Sequence, residues 1–385
     1  MHGQKLWIMI DLKLYDMKLK LIISFFLFFS TLGYSKNKEI SNSESIDYEI
    51  SKVFSYDGII WSIEFLNESE IIFSDKKGKV FTYKDSEIKE INGIPKVYKR
   101  GQGGLMDIEL HPEFSQNNII YLSYSKQFGD KGGNTAIAMA TLDNQTLTGL
   151  KDIFIGKERS TKGVHWGSRM QFDKNSKLYF GIGDRGSRDV NPQDLTKDGG
   201  KIYRINDDGS IPSDNPYVNS KDINSAIYSY GHRNPQGIFL HPITNEIWTN
   251  EHGPKGGDEV NIISKAKNYG WPIISYGINY NGTSFTDKTE DPNMEQPYYY
   301  WVPSIAPSSF EYLSSKLYGD WEGSLLVGSL KFGYLERLLF DSNGKLEIKE
   351  KIGEGIGRVR DVKLSPDGYI YLAVEGQGVF KILPK

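Results

Sequence analysis

The sequence predicts an all-β chain folded as a six-bladed β-propeller, and three observations carry that reading. One phrase recurs six times: a turn of Asn, Asp, Gly, Ser or Lys, then an alternating aromatic and aliphatic run. It appears as NESEIIFSD from Asn67, NNIIYLSYS from Asn117, KNSKLYFGIGD from Lys174, TNEIWTNEHG from Thr244, GSLLVGSLKFG from Gly323 and PDGYIYLAVEG from Pro366. The copies start roughly 40 to 80 residues apart, enough in each interval for a four-stranded sheet with loops. Finally, 40 Gly and 24 Tyr accompany few long apolar helical periods, which suits short strands joined by tight turns. A β-sandwich is the structural alternative, but it does not need the same phrase six times.

Each copy is apolar on both faces and ends in small or polar groups such as Gly183-Asp184 and Asn250-Glu251. That pattern marks it as an inner strand whose end lines the central channel. Closure of the ring by the first and last strands explains why no second domain is visible.

Ahead of the ring, Lys18 and Lys20 precede the apolar run Leu21 to Leu32, followed by small residues around Gly33 and Ser35. This is the pattern of a secretory signal peptide, with Met17 as its natural start. The run is shorter than the roughly 20 residues of a membrane-spanning helix, so no span is expected in the mature chain. The expected organisation is a leader over 1–35, a polar linker over 36–48 and the propeller over 49–385, in a periplasmic or secreted protein.

Without residues 1–35, which carry four Lys and two Asp, the net charge falls from −3 to −5. Nucleic acid is therefore a disfavoured partner. With no cysteine there is no disulfide, thiolate metal site or Cys nucleophile, so any metal must be held by oxygen or imidazole.

Six motifs carry chemistry. In GQGGLMDIELHPEF, Gly103 and Gly104 permit close approach to a ligand and Gln102 offers a donor and an acceptor, although a blade turn with a buried amide reads the same way. In GVHWGSRMQFDKNSKLYFGIGDRG, His165 lies between glycines ahead of one strand and Asp184 closes the next. His165 can take a proton at neutral pH, or it can be structural, as His111 and His241 look in their His-Pro turns. In GHRNPQG, Pro235 restricts Asn234 to extended conformations and the Arg233 fork suits a planar carboxylate, with a loop salt bridge as the alternative. EHGPKGGDE offers carbonyls at Gly253 and Pro254, the His252 imidazole, and carboxylates at Asp258 and Glu259, a set suited to Ca²⁺. Lys331 in GSLKFG, with Arg358 and Arg360 in GRVRDV, joins Arg233 at inner strand ends. Cations so placed converge on one channel and imply a ligand with several carboxylates.

Together GQGGL, HWGSR, GIGDRG, DGGKIYRINDDGSIP, GHRNPQG, EHGP followed by DEVN, NYGWP, SLK and GRVRD resemble the soluble glucose/sorbosone dehydrogenases, particularly their aldose sugar dehydrogenase branch. The resemblance runs in order from about residue 49 to 383. It implies a propeller that binds pyrroloquinoline quinone and Ca²⁺ and oxidises the anomeric hydroxyl of aldoses to lactones. By this likeness His165 is the general base during hydride transfer to the quinone, and Arg233 stabilises the charge developing there. Gln102, Asn234, Lys331, Arg358 and Arg360 hold the cofactor, with Asp184 near the base and His252 beside it. Gly253 and Pro254 match main-chain ligands of the cofactor's Ca²⁺; Glu259 and the Tyr269 carbonyl match a second, structural Ca²⁺ site.

Two departures stand out. The glucose dehydrogenase branch tends to have Asp before the base and Gln before the Gly-Pro pair, where this chain has Val164 and His252. The loss of the acidic neighbour leaves open what aligns His165. The resemblance also implies an external electron acceptor, a quinone or a cytochrome, and the expected assembly is a monomer or homodimer. A Ca²⁺-dependent propeller lactonase and a non-catalytic binding propeller remain as alternatives. The first needs a carboxylate cage instead of four cations; loss of His165, Arg233 or Lys331 would have favoured the second.

Overall fold

The computed structural model describes residues 46–385; the leader, the Met17 start and most of the linker lie outside the described residues. Six four-stranded antiparallel sheets follow one another along the chain. The first five blades span 60–91, 105–155, 170–230, 235–301 and 307–352. The sixth spans 359–384 and takes the N-terminal strand Tyr48–Phe54 as its fourth, outermost member. In that seam Tyr48 pairs with Pro384 and Ile50 with Ile382.

The recurring phrase forms the second strand of every blade, for example Glu70–Asp75, Lys177–Ile182, Leu325–Ser329 and Ile370–Val374. It therefore lies one position out from the channel. The channel is lined by the strand that precedes each copy: Ile60–Asn67, Leu105–Leu110, Met170–Phe172, Pro235–Leu240, Pro307–Tyr312 and Val359–Leu364. The second strands read as continuous apolar runs because neighbouring blades cover both their faces. Leu105, Ile108, Ile120 and Leu122 of the second blade, for instance, pack on Ile72 and Val80 of the first. Outer strands alternate instead, as Leu346–Ile352 does with Glu347, Lys349 and Lys351 facing water.

Charged groups tie the blades at the axis. Arg169 bonds the Trp61 carbonyl at 3.2 Å, Asp107 at 3.0 Å, the Gln236 carbonyl at 3.1 Å and Asp361 at 2.9 Å. Further along the channel, half-buried Lys363 pairs with Glu64 and faces Glu109 and Glu311. Burial, opposed by Lys363, pushes the carboxyl groups of Glu64 and Glu311 up to about 7 and raises that of Glu109 as well.

Carboxyl groups with raised pKa add stability below their unfolded values and lose it as pH rises through about 7. Replacing Lys363 by Met removes the only ammonium facing them among the described residues. Urea unfolding of Lys363→Met should show a loss of roughly 3–5 kcal/mol at pH 8, and a clearly smaller one at pH 5, where the carboxyl groups stay protonated.

Candidate active site

All six blades present the same two structural ends on one face of the ring: the start of the channel strand and the end of the second strand. A cavity of about 1010 Å³ opens there. Channel-strand starts bring Trp61, Met106, Trp166, Asn234 and Arg360 to its wall, and second-strand ends bring Lys76, His252, Lys331 and Glu375. Gln102, Gly253, Pro254 and Arg358 also line it, so this one cavity gathers every residue singled out for the cofactor except Asp184 and Arg233, which stand immediately behind its wall.

His165 sits beside Gln102, whose side-chain oxygen accepts the His165 main-chain N–H at 2.7 Å. The amide is exposed to the cavity and not buried in a blade turn. The imidazole Nδ1 lies 2.6 Å from Asp184 Oδ1, with Asp184 only 1% exposed and the imidazole 17%. Asp184 also accepts from Gly186 N at 2.7 Å and from the Trp271 indole at 3.0 Å. Burial acts to raise the Asp184 pKa, but the His165 bond and charge, with Arg233, hold it below the usual carboxylate value. An ionised Asp184 fixes the Nδ1–H tautomer and leaves Nε2 as the acceptor. Asp184 thus aligns the His165 ring without an acidic residue at position 164.

Arg233 is buried, donates to the His252 carbonyl at 2.8 Å and lies 5.4 Å from the Trp271 ring. Its main-chain N–H and that of Asn234 both bond Glu251, which is oriented by His232 at 3.0 Å. His232, Trp271, Lys76 and Glu375 are contributors that sequence reasoning passed over. A His beside Arg233 in GHRNPQG and the Trp of NYGWP were the available signals; Lys76 and Glu375 are single residues just beyond ordinary strand ends.

Arg358 and Arg360 do share a side of their strand, because both hold Glu375: Arg358 Nε at 2.6 Å and Arg360 Nε at 2.9 Å. Lys331 donates to the Ser304 carbonyl at 3.1 Å. The cations of the wall are therefore Lys76, Lys255, Lys331, Arg358 and Arg360, partly offset by Glu375. The close approaches of Gly103 and Gly104 are to the protein itself: a Cβ would fall 2.8 Å from the Trp166 ring and 2.0 Å from the Lys76 carbonyl.

Asp258 and Glu259 do not face one ion. They are consecutive in a strand, Asp258–Ile263, so their side chains leave on opposite faces. Asp258 lines the large cavity, where it accepts from Gly253 N and Ala306 N, both at 2.8 Å. Glu259 lines a separate small cavity with Glu251 and Tyr269. There, burial and the neighbouring Glu251 charge push the Glu259 pKa up to about 8. The His252 ring bonds the Pro307 carbonyl through Nε2 at 2.7 Å, so it enters the cavity neutral and not as a metal donor through that nitrogen. His111 and His241 accept main-chain N–H groups of their own turns, as Glu113 N at 2.9 Å and Thr244 N at 3.2 Å.

This architecture is shared with sugar-oxidising propeller enzymes. The family model described as glucose/sorbosone dehydrogenase matches residues 58–381. The aldose sugar dehydrogenase YliI of Escherichia coli is 35% identical over 341 residues, covering 84% of this chain and 90% of that one. The quinoprotein glucose dehydrogenase B of Acinetobacter calcoaceticus is 28% identical, covering 74% and 75%. The crystal structure of the soluble E. coli aldose sugar dehydrogenase in its apo form superposes with a TM-score of 0.83 at 33% identity, covering 88% and 100%. The chain belongs to the glucose/sorbosone dehydrogenase family, a family of oxidoreductases.

Burial, with the Arg233 charge next, draws the His252 pKa down to about 3. An unfolded chain takes up that proton near 6.5 and the folded chain does not, so this residue costs stability as pH falls below that value. In histidine-selective NMR the His252 ring signals should not move between pH 8 and pH 4.5; a titration near 6.5 would contradict the assignment.

Proposed function

We propose that this protein is an exported quinoprotein that oxidises the anomeric hydroxyl of aldose sugars to lactones, using pyrroloquinoline quinone and Ca²⁺. The observation that carries this is the pairing of His165 with buried Asp184, with Arg233 behind it, at the edge of a cation-lined cavity. The names of the E. coli and Acinetobacter relatives point the same way. The leader motif supports a periplasmic location, and among the described residues no helix is long and apolar enough to cross a membrane.

The cavity suits a flat polycarboxylate. Lys76, Lys331, Arg358 and Arg360 supply cations, Trp61 and Trp166 supply planar apolar surface, and the buried Trp166 indole N–H has no partner. Gln102, Asn234 and His252 add polar contacts, while the Gly253 and Pro254 carbonyls would hold Ca²⁺. When bound, the quinone supplies the acceptor for the sugar's hydride and Ca²⁺ polarises it as a Lewis acid. A lactonase would place a cage of carboxylates here, where this chain has lysines and arginines.

His165 Nε2 takes the proton of the anomeric hydroxyl, and Asp184 stabilises the imidazolium that forms. Trp271 and Gly186 keep Asp184 oriented by their hydrogen bonds. Arg233, desolvated against Trp271, stabilises negative charge developing as the sugar is oxidised. An external quinone or cytochrome would serve as the final electron acceptor. In the small cavity, Glu259 and the Tyr269 carbonyl would hold a second, structural Ca²⁺, which offsets the cost of two carboxylates buried side by side.

EDTA-stripped protein supplied with both cofactors should reduce dye with aldoses, and should do so with neither cofactor alone. His165→Ala should retain quinone binding and lose on the order of 10²–10⁴ in kcat; equal turnover in the variant would remove His165 from its role. Adding Ca²⁺ to the apoprotein should raise the melting temperature, and Glu259→Gln should abolish most of that rise.

A further inference from the structure

The base occupies an uncommon backbone conformation. His165 has φ of 52°, in the left-handed region that residues with a side chain rarely adopt, and so do Gly167 at 66° and Ser168 at 95°. Such a turn persists only where its surroundings hold it. Asp184 grips the imidazole but has no bond to the chain on either side of it.

Arg185 grips both sides. One terminal nitrogen of its guanidinium donates to the Val164 carbonyl, immediately before the base. The other donates to the Lys162 carbonyl at 3.1 Å. The same guanidinium lies 3.4 Å from the centre of the Trp166 ring, immediately after the base. Lys162 in turn donates to the Gly186 carbonyl, so segments 162–166 and 184–186 are tied in both directions.

Arg185 is a costly way to fill this space. It is 3% exposed, and no carboxylate lies within ion-pair distance among the described residues; its Nε has no hydrogen-bond partner. Burial draws its pKa down to about 9. Arg169, by contrast, is neutralised by Asp107 and Asp361. A buried, unneutralised guanidinium is poor stabilisation, whereas its planar fork is well suited to holding two carbonyls and an indole face at once.

We propose that Arg185 is a positioning residue for the base, clamping the residues before and after His165 so that the left-handed turn presents the imidazole to Asp184 and to the substrate. The clamp takes over part of the alignment that an acidic residue at position 164 would supply. This rests on the reading of His165 as the base, and it extends that reading from the ring to the backbone that carries it.

The test pairs a spectroscopic arm with a kinetic one. In ¹⁵N-histidine-labelled apoprotein, the low-field proton of the His165 Nδ1–H···Asp184 bond is identified by its loss in Asp184→Asn. It should broaden or vanish in Arg185→Gln and survive weakened in Arg185→Lys, which keeps the charge and loses the fork. In the reconstituted enzyme, Arg185→Gln should lower kcat by roughly 100-fold, with sugar KM and quinone affinity within about twofold, and added methylguanidinium should restore part of the loss. An unchanged low-field signal with only a lowered melting temperature would make Arg185 structural and overturn the proposal. If Arg185→Gln does not fold, Arg185→Lys decides by the same signal. A wild-type protein that oxidises no aldose would sink the functional reading alone, since the spectroscopic arm needs no turnover.

Discussion

The guanidinium of Arg169 ties the third blade, which it precedes, to the first, second, fourth and sixth through Trp61, Asp107, Gln236 and Asp361. Asp361 accepts the Ile63 N–H at 2.7 Å and Asp107 the Met170 N–H at 2.6 Å, so the two anions bridge neighbouring channel strands. The fifth blade joins through Ser308 and Ser309, which donate to the Val359 and Val362 carbonyls. Apolar packing between blades is broad and non-directional; these axial bonds set the relative height of the strands. A buried ionic cluster of this kind yields little net stability, because desolvation offsets the attraction, but losing one member is expensive. Its contribution here is registry.

Registry matters because the active site is assembled from strand ends. His165 precedes the third blade, Asp184 follows that blade's second strand, Arg233 precedes the fourth, and Glu375 ends a strand of the sixth. A shift of one residue between the third and fourth blades would move their strand ends by about 3.3 Å, enough to break the 2.7 Å bond from the Asp184 N–H to the Arg233 carbonyl. Trp61 shows the link most directly: its carbonyl is bonded by Arg169 and its ring lines the cavity.

Much of this was legible in the sequence. Six copies of one phrase gave the ring, and unusual residues at strand ends gave His165, Arg233 and the cations of Lys331, Arg358 and Arg360. The copies, apolar on both faces, read as inner strands whose ends line the channel, but each is the second strand of its blade; the channel strands are less uniform and carry the axial charges. Asp258 and Glu259 were read as one donor set because they are adjacent, yet strand alternation sends adjacent residues apart. Glu375 was invisible because a Glu closing an apolar strand is common, and only folding brings it to Arg358. Arg185 was hidden for a related reason, since its partners lie some twenty residues earlier.

The seam between Tyr48–Phe54 and Gly378–Pro384 has a temporal meaning. The earliest strand of the ring waits for the last one, so during synthesis the sixth sheet lacks a side until Gly378–Pro384 has emerged. Contacts this distant in sequence form late and slowly. Until then the nascent chain is an open arc with exposed edges at both ends, and the catalytic face is incomplete. The order in which residues leave the ribosome thus makes ring closure, and with it activity, wait for the strand Gly378–Pro384.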